Sequence, residues 1–320
     1  MLYRKRVLVI GGSGFIGKTL VPSLLVSGYD VTLLNRGNRP RQDCTQLIAD
    51  RNVEKEVELV SIQCGLFDAI VDTSAYTLRQ TQIALRFFAA KTTKWIHLSS
   101  AAVYKNYDTA TPHEENDEIG GAEIWGTYGK DKSEIDQFLN DLDGPIATII
   151  LRPPYIYGPH NDVDRETFIW SRAENKMPII LPKKAETPIQ FLHVGDLADC
   201  IGICIDHSFK SNVIYNVASA ESVTIRQWVD MLLSICTRTV NPQVFLNTLE
   251  GYSVRNHFPF RDYPCCLNLS RIRQDLNWRA KNDLYNGFSK TYSTYTAQDL
   301  KIYLRNISTI ETEIAAKLVQ

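Results

Sequence analysis

The chain has 320 residues, 44% of them hydrophobic and 22% charged, which is enough for one large α/β domain with a smaller lobe. Its formal net charge is −1, from 35 basic and 36 acidic residues, so no global field attracts nucleic acid or an anionic membrane. No apolar run approaches the roughly 20 residues that span a bilayer. The seven cysteines include no pair with zinc-type C-x2-C spacing. We therefore expect a cytoplasmic protein with reduced thiols, no membrane partner and no metal.

The first half of the chain alternates short apolar, β-branched runs with stretches that repeat apolar residues at helical spacing. The predicted strands are residues 7–10, 31–34, 69–72, 95–98 and 147–151. The predicted helices are residues 15–27, 78–90 and 128–142. Nearly continuous apolar strands separated by helices predict a parallel sheet covered on both faces. The expected fold class is α/β, a Rossmann-type doubly wound parallel sheet.

The second half has more proline and aromatic residues and predicts a smaller C-terminal lobe over the carboxyl ends of the strands. We expect a dinucleotide-binding domain of residues 1–151 with about 189–218, as befits the doubly wound sheet. The substrate-binding lobe would then be about 152–188 with 219–320. Residues 310–319 have the pattern of an amphipathic helix without an assigned role.

A glycine-rich segment lies between the first predicted strand and the first predicted helix. Gly11, Gly14 and Gly17 have the spacing that allows a tight turn, close approach of the backbone to a pyrophosphate, and close packing of helix on strand. The amino terminus of the helix offers free N–H groups and a partial positive charge to the phosphates. We therefore predict a dinucleotide site, whose residues in this segment are Gly11, Ser13, Gly14, Phe15, Ile16 and Gly17.

The end of the second predicted strand indicates which dinucleotide binds. An acidic residue there would bond the ribose hydroxyls and favour NAD, but the chain has Asn35 and Arg36. Because a guanidinium can bind a 2′-phosphate, NADP is favoured over NAD, unless Arg36 only stacks on adenine or faces solvent. Asp50 either bonds the adenine amino group or caps its own loop. The other residues predicted to contact the cofactor are Arg51, Ser74, Ser99, Lys132, Pro153 and Tyr155.

A second pattern carries acid–base chemistry. Tyr128 and Lys132 are four residues apart and therefore share one helix face. The pKa of a free tyrosine is about 10, and a neighbouring ammonium and a positive nicotinamide ring favour its phenolate. Ser100 follows a predicted strand, at the edge where such sheets bind ligands. We predict Ser100, Tyr128 and Lys132 as catalytic residues.

These segments resemble the extended, or closely related atypical, short-chain dehydrogenases/reductases, the NAD(P)-dependent sugar epimerase/dehydratase group. The matching segments are residues 11–17, 99–104, 128–132, 151–159, 193–196 and 269–278. The resemblance implies that Ser100 polarises the substrate oxygen, that Tyr128 is the acid/base, and that Lys132 supports both. Residues 35–37 and 258–262 are similar to a branch that includes chloroplast stem-loop RNA-binding proteins, some of which lack the catalytic tyrosine.

The chain also departs from this family. Dehydratases of the group carry an Asp-Glu pair where this chain has Ala101 and Ala102, so elimination of water by that route is not expected. Sugar-nucleotide members often have asparagine in the segment of Tyr155, and an arginine shortly before the position of Phe191, where this chain has Ile189 and Gln190. The missing arginine weakens the case for a nucleoside diphosphate. Arg261 lies where the group places a diphosphate-binding arginine, and its alternative is a structural ion pair. The predicted substrate-binding residues are Ala101, Ala102, Tyr155 and Arg261.

Three functions remain open at this point. The first is an epimerase or oxidoreductase acting on a sugar or sugar-like alcohol, and the second an NADPH-dependent carbonyl reductase of another small-molecule substrate. The third is a non-catalytic nucleotide-binding protein that contacts RNA, against which the intact catalytic residues and the balanced charge argue. A homodimer is possible, because extended members often pair through two helices per subunit.

Four further residues are expected to be structural. His97, His193 and Tyr104 lie in or beside apolar runs and are predicted to pack in the core. Asp196 is predicted to cap a helix that begins near Leu197.

Overall fold

The computed structural model describes residues 4–106, 111–182, 185–236, 244–246, 251–303, 312–314 and 316–317, with the backbone alone at 244–246 and 302–303. Its strands are β1 (Arg6–Ile10), β2 (Asp30–Asn35), β3 (Thr45–Ile48), β4 (Ala69–Asp72), β5 (Lys94–Leu98), β6 (Ala147–Arg152), β7 (Tyr155–Tyr157), β8 (Ile179–Leu181), β9 (Pro188–His193), β10 (Val213–Asn216), β11 (Ser222–Thr224) and β12 (Val244–Leu246). Its helices are α1 (Phe15–Val26), α2 (Glu54–Ile62), α3 (Leu78–Phe88), α4 (Thr127–Asn140), α5 (Glu166–Glu174), α6 (Val194–Asp206), α7 (Ile225–Ile235), α8 (Ser270–Leu276), α9 (Leu284–Tyr292) and α10 (Ala297–Tyr303).

The central sheet has seven parallel strands in the order β10-β6-β5-β4-β1-β2-β3. The chain moves outward from β1 to β3 on one side and then returns to β4 on the other. This reversal opens a crevice at the carboxyl ends of β1 and β4, where doubly wound sheets bind their ligands. The predicted fold class is confirmed.

The five predicted strands and three predicted helices are all present, and their ends differ from the prediction by at most two residues. Successive strand residues point to opposite faces of the sheet and feed two cores. Val7 and Val9 pack on the α1 and α6 side. Leu8 and Ile10 pack on the side of α2, α3 and α4. Both faces are covered, as near-continuous apolar strands require.

A second, smaller sheet extends over the carboxyl ends of the central strands. It has three strands, in which β9 pairs in parallel with β7 and antiparallel with β11. The strands β8 and β12 pair in parallel in a separate two-stranded sheet. The predicted domain division stays a prediction. Of the segment 189–218, which the prediction adds to the dinucleotide-binding domain, α6 packs on α1 and β10 joins the central sheet. The strand β9, by contrast, belongs to the smaller sheet.

The start of α6 corrects one prediction. The helix begins at Val194 and His193 caps it, accepting a hydrogen bond from the Gly195 backbone N–H at 3.1 Å. Asp196 lies inside the first turn and accepts instead from the backbone N–H groups of Lys281 and Asn282. The prediction that Asp196 caps a helix beginning near Leu197 is therefore wrong by about one turn. The actual cap is an imidazole nitrogen, whereas the usual helix cap is a side-chain oxygen.

His97 and Tyr104 are buried, as predicted. Of the predicted tail helix, only residues 312–314 and 316–317 are described, and they are helical. Across the described residues, no helix combines the length and the apolar character needed to cross a membrane.

Candidate active site

The glycine turn between β1 and α1 has a different requirement at each glycine. Gly11 has φ +91°, and a Cβ there would lie 2.3 Å from the Cβ of Ser74. A Cβ at Gly17 would lie 2.2 Å from the carbonyl carbon of Gly12, so only glycine lets α1 pack on the turn. A Cβ at Gly14 would meet nothing within 4 Å, because this position faces open space. The turn therefore leaves room at the helix terminus where a pyrophosphate fits.

Residues at and after the end of β2 hold the glycine turn through hydrogen bonds to Ser13. Asn35 donates from Nδ2 to the hydroxyl of Ser13 at 2.8 Å and accepts from the backbone N–H of Gly37 at 2.8 Å. Arg39 donates to the Ser13 carbonyl at 2.9 Å. Arg36 is exposed and lines a cavity of about 550 Å³ beside the turn, and among the described residues it makes no ion pair. Its guanidinium is available to a bound anion.

Asp50 and Arg51 line the same cavity, but their side chains bind other protein groups. Oδ1 of Asp50 accepts from the backbone and side-chain nitrogens of Asn52, at 2.9 and 2.7 Å, which fits the loop-capping alternative. Arg51 makes two bonds to Asp72, at 2.7 and 2.8 Å, and donates to the hydroxyl of Ser74 at 2.7 Å. The sequence did not pair Arg51 with Asp72, because 21 positions separate them.

Ser100, Tyr128 and Lys132 line a second cavity, of about 570 Å³, whose wall includes Gly11 and Gly14. Ser100 follows β5, and its hydroxyl accepts from the Ala102 backbone N–H at 3.1 Å. This bond orients the hydroxyl at the carboxyl edge of the sheet. The two cavities share Gly11, Gly14, Ser74, Tyr76 and Asp162, so they form one continuous groove.

Tyr128 lies in the first turn of α4, and 38% of the residue is exposed. Burial of the phenol raises its pKa, and a hydrogen bond with the Ser100 side chain acts in the opposite direction. The ring centroid of Tyr76 is 6.4 Å from that of Tyr128. The raised pKa keeps the phenol protonated at neutral pH in the free protein, and the predicted serine lines the same cavity.

Lys132 lies one turn further along α4 and is only 4% exposed. Its Nζ donates to the Leu98 carbonyl at 2.7 Å, which orients the side chain toward the end of β5. Burial lowers the pKa of Lys132 to about 8, against the attraction of Asp72 and Asp136. Such a lysine titrates close to neutrality, as catalytic lysines do.

The other predicted cofactor contacts lie along the same groove. Phe15, Ile16, Gly17, Ser74, Ser99, Pro153 and Tyr155 all line the cavity that contains the catalytic residues. Ser13, Asn35, Arg36, Asp50 and Arg51 line the cavity beside the glycine turn. The structure therefore brings the predicted cofactor residues to one groove, at whose centre Gly14 leaves the space a dinucleotide needs.

The predicted substrate residues line the far side of the cavity. Ala101 and Ala102 lie beside Ser100, and Arg261 stacks over the Trp125 ring at 4.7 Å. Arg261 makes no ion pair within the described part of the chain. The alternative that Arg261 forms a structural ion pair is therefore not supported among those residues. The hydroxyl of Tyr155 is buried without a hydrogen-bond partner among the described residues, so it is available to a ligand.

Two arginines of this wall were missed by the sequence reading. Arg165 stacks over the ring of Tyr155 at 5.1 Å, and Arg255 bonds the Pro259 carbonyl. Burial, and then the charges of Arg261 and Arg165, lower the pKa of Arg255, and all three residues line the same cavity. No motif spacing links Arg165, which precedes α5, to the two arginines of the connection before α8. Ile189 and Gln190, which occupy the segment of the missing arginine, are both buried, and Gln190 bonds the Ser219 carbonyl and the Leu267 N–H.

Neither a metal site nor a disulfide occurs in the described part of the chain. No group of three or more His, Cys, Asp or Glu side chains there could hold a metal ion. All seven cysteines are described, and all are unpaired thiols.

Residues 7–218 match the family model of the NAD dependent epimerase/dehydratase family. The chain is 26% identical over 314 residues to the chloroplast stem-loop binding protein of 41 kDa b from Arabidopsis thaliana, covering 90% of this chain and 79% of that protein. It is 22% identical over 327 residues to UDP-glucose 4-epimerase of Vibrio cholerae, covering 91% and 95%.

Solved structures show the same fold. UDP-glucose 4-epimerase of Thermotoga maritima with UDP-glucose superposes with a TM-score of 0.75 at 16% identity, covering 90% of this chain and 98% of that one. The Thermus thermophilus UDP-glucose 4-epimerase complex with NAD gives 0.72 at 18% identity, with the same coverage. The chain therefore belongs to the NAD dependent epimerase/dehydratase family and is an NAD(P)-dependent enzyme of the short-chain dehydrogenase/reductase type.

Proposed function

We propose that this enzyme interconverts a hydroxyl and a carbonyl on a sugar or sugar-like substrate, most simply as an epimerase, with Ser100, Tyr128 and Lys132 as its catalytic residues. The observation that carries the proposal is that these three side chains line one cavity with the glycine turn. A nicotinamide dinucleotide bound along the groove would supply the hydride acceptor and donor. The names of the epimerase relatives support the substrate class.

The roles follow from the geometry of each side chain. The Ser100 hydroxyl, held by the Ala102 N–H, donates a hydrogen bond to the reacting oxygen of the substrate. Tyr128 takes the proton from that oxygen during oxidation and returns it during reduction. The Lys132 ammonium, one helical turn away, favours the phenolate and offers hydrogen bonds to the nicotinamide ribose.

We further propose that the enzyme prefers NADP to NAD. Asn35 replaces the carboxylate that would repel a 2′-phosphate, and Arg36 is exposed beside the groove without an ion-pair partner in the described regions. An NADP preference also favours the alternative of a one-way carbonyl reductase, in which Tyr128 donates the proton. The raised pKa of Tyr128 keeps the phenol in the form that donates.

RNA binding is the second candidate function, since one relative is a stem-loop binding protein. The net charge of −1 argues against it, because phosphate neutralisation dominates the affinity of proteins for nucleic acid. Affinity for a stem-loop RNA that falls steeply with salt, with no redox activity, would favour this candidate.

The direct test of the proposed function is redox chemistry at the groove. The purified enzyme is incubated with NAD or NADP and a panel of sugar nucleotides, free sugars and sugar alcohols, or with NADPH and a panel of ketones and aldehydes. The absorbance of reduced nicotinamide and the stereochemistry of the sugars are then measured. Epimerised product without net cofactor consumption supports the epimerase. Stoichiometric loss of NADPH supports the reductase, and neither change across the panels would oppose both.

A further inference from the structure

A row of buried charged side chains lies beneath the groove, at the carboxyl ends of the central strands. Arg51 and Asp72 form one ion pair, with both oxygens of Asp72 bonded, at 2.7 and 2.8 Å. Arg152 and Asp136 form another, with Nε of Arg152 2.7 Å from Oδ2. The side chains of Asp72 and Asp136 are completely buried. The proposed function uses neither pair.

Lys132 lies within reach of both pairs. Its Nζ bonds the carbonyl of Leu98, the residue after His97, and His97 is in register with Asp72 on the neighbouring strand. Asp136 follows Lys132 by one turn of α4 and therefore shares its helix face. Asp72 and Asp136 both attract the ammonium. The lysine that the mechanism needs is thus flanked by two buried carboxylates.

Each carboxylate is paired with an arginine, which offsets part of its attraction for the Lys132 ammonium. Arg51 itself acts against the ammonium, and burial is the largest influence. The titratable and charged groups around Lys132 come from six elements: Tyr128 and Asp136 on α4, Asp72 on β4, His97 on β5, Arg51 after β3, Tyr76 before α3, and Arg152 on β6 through its bond to Asp136.

His97 does not contribute a charge to this set. Burial, and then the Lys132 ammonium, hold the pKa of His97 well below its usual range, so the imidazole is neutral. Its Nε2 lies 4.0 Å from Oδ1 of Asp136. Neither of these atoms has a hydrogen-bond partner among the described residues.

We propose that Asp72, held by Arg51, is a positioning residue for Lys132, and that this ion pair sets the charge of the lysine from the adenine end of the groove. This inference rests on the proposed function only in one respect, namely that the charge of Lys132 serves catalysis. Arg51 lines the cavity beside the glycine turn, whereas Lys132 lines the catalytic cavity. One ion pair thereby links the two ends of the cofactor groove.

The charge argument fixes the sign of two substitutions. Asp72→Asn removes a negative charge but leaves Arg51, so the pKa of Lys132 falls. Arg51→Gln removes a positive charge and leaves Asp72 facing the lysine, so the pKa rises. Each change amounts to about one pH unit, the lower end of what a neighbouring charge does in a buried site. Arg51→Lys keeps the charge and leaves the midpoint of Lys132 unchanged.

The experiment follows the lysine directly in the free protein, by NMR titration of protein labelled with ¹³C at the lysine Cε atoms. The resonance of Lys132 is identified by its absence in Lys132→Arg, and its expected midpoint in the unmodified protein is about 8. The control is Arg86→Gln, which breaks an exposed ion pair in which Nη1 of Arg86 lies 2.6 Å from Oε1 of Glu54. We expect this control to leave the midpoint of Lys132 unchanged. Because no substrate is added, the result is independent of whether the proposed function is correct.

Opposite shifts in Asp72→Asn and Arg51→Gln support the proposal. Shifts in the same direction, or no shift in either, overturn it. Loosening of the site would admit water and raise the midpoint, so the fall in Asp72→Asn is not a folding artefact. If Asp72→Asn fails to fold, a rise in Arg51→Gln that is absent in Arg51→Lys supports the proposal, and equal rises in both overturn it. Near-ultraviolet circular dichroism establishes that each variant is folded.

Discussion

Tyr128 differs from the buried tyrosines because it is partly exposed and lines one cavity with Ser100 at the edge of the sheet. The ring also reaches the cavity, whereas the hydroxyl of Tyr104 is used by a bond to Asn216 at 2.5 Å. A tyrosine in that position can exchange a proton with a ligand. A tyrosine bonded deep in the core supports the fold instead.

We expect Tyr128→Phe to lower turnover by about 10²–10⁴-fold, because it removes the group that exchanges the proton. Cofactor affinity should change little, since the ring remains. Initial rates on whichever substrate the panels identify, with calorimetric titration of the cofactor, measure the two effects. Tyr263→Phe alters an exposed tyrosine outside the cavity and serves as the control. Full turnover in Tyr128→Phe would remove Tyr128 from the mechanism.

Arg36→Ala should weaken the binding of NADP by about tenfold or more and leave NAD nearly unaffected, since a charge-assisted hydrogen bond contributes about 1.5–3 kcal/mol. The measurement is the ratio of the two dissociation constants. Arg86→Ala, in which an exposed ion pair is lost from α3, is the matched control. An unchanged ratio in Arg36→Ala would mean that Arg36 faces solvent or stacks on adenine.

The side chains that the sequence located are those with a local pattern. Gly11, Gly14, Tyr128 and Lys132 follow fixed spacings, so their place in one groove could be predicted from neighbouring residues. Arg165 and Arg255 come from separate loops, and only the packing of the smaller lobe brings them beside Arg261. Contacts of this kind have no signature in a single sequence.

At the scale of elements, two glycines of the turn between β1 and α1 are expected to affect different properties, one the stability of the fold and the other the binding of the dinucleotide. Gly17→Ala places a methyl group against the backbone of Gly12 and should destabilise the protein by about 1–3 kcal/mol, the usual cost of overpacking. Gly14→Ala meets no protein atom within 4 Å and should leave stability unchanged while it weakens dinucleotide binding about tenfold.

Thermal or urea denaturation and cofactor titration on the same two variants check this separation. The account predicts that only Gly17→Ala loses stability and that Gly14→Ala loses affinity while it stays stable. Equal stability of both variants would show that α1 can shift away from the turn. Undiminished affinity in Gly14→Ala would place the pyrophosphate elsewhere.

Elements with a strong apolar period were predictable, and short ones were not. The central strands β1, β2, β4, β5 and β6 are buried apolar runs, which is why their ends fell within two residues of the prediction. The strands β7, β8, β11 and β12 have three residues each, too few to show a period of two. They form because the smaller lobe packs, which is a tertiary effect.

At the scale of the whole molecule, the balanced charge and the groove point to a small ligand. The groove runs from Arg36 past the glycine turn to Tyr128, and a wall of three arginines and several rings closes its far end. Because the overall charge is only −1, we expect these local arginines to select any anionic group that binds in the groove. A possible homodimer stays a prediction.

The most direct test of the central claim is calorimetric titration of the purified protein with NAD, NADH, NADP and NADPH. We predict binding of one dinucleotide per chain, tighter for the NADP forms, and about tenfold weaker in Gly14→Ala. Absence of binding by all four, in a protein whose circular dichroism shows it folded, would contradict a dinucleotide site in this groove and with it the proposed redox function.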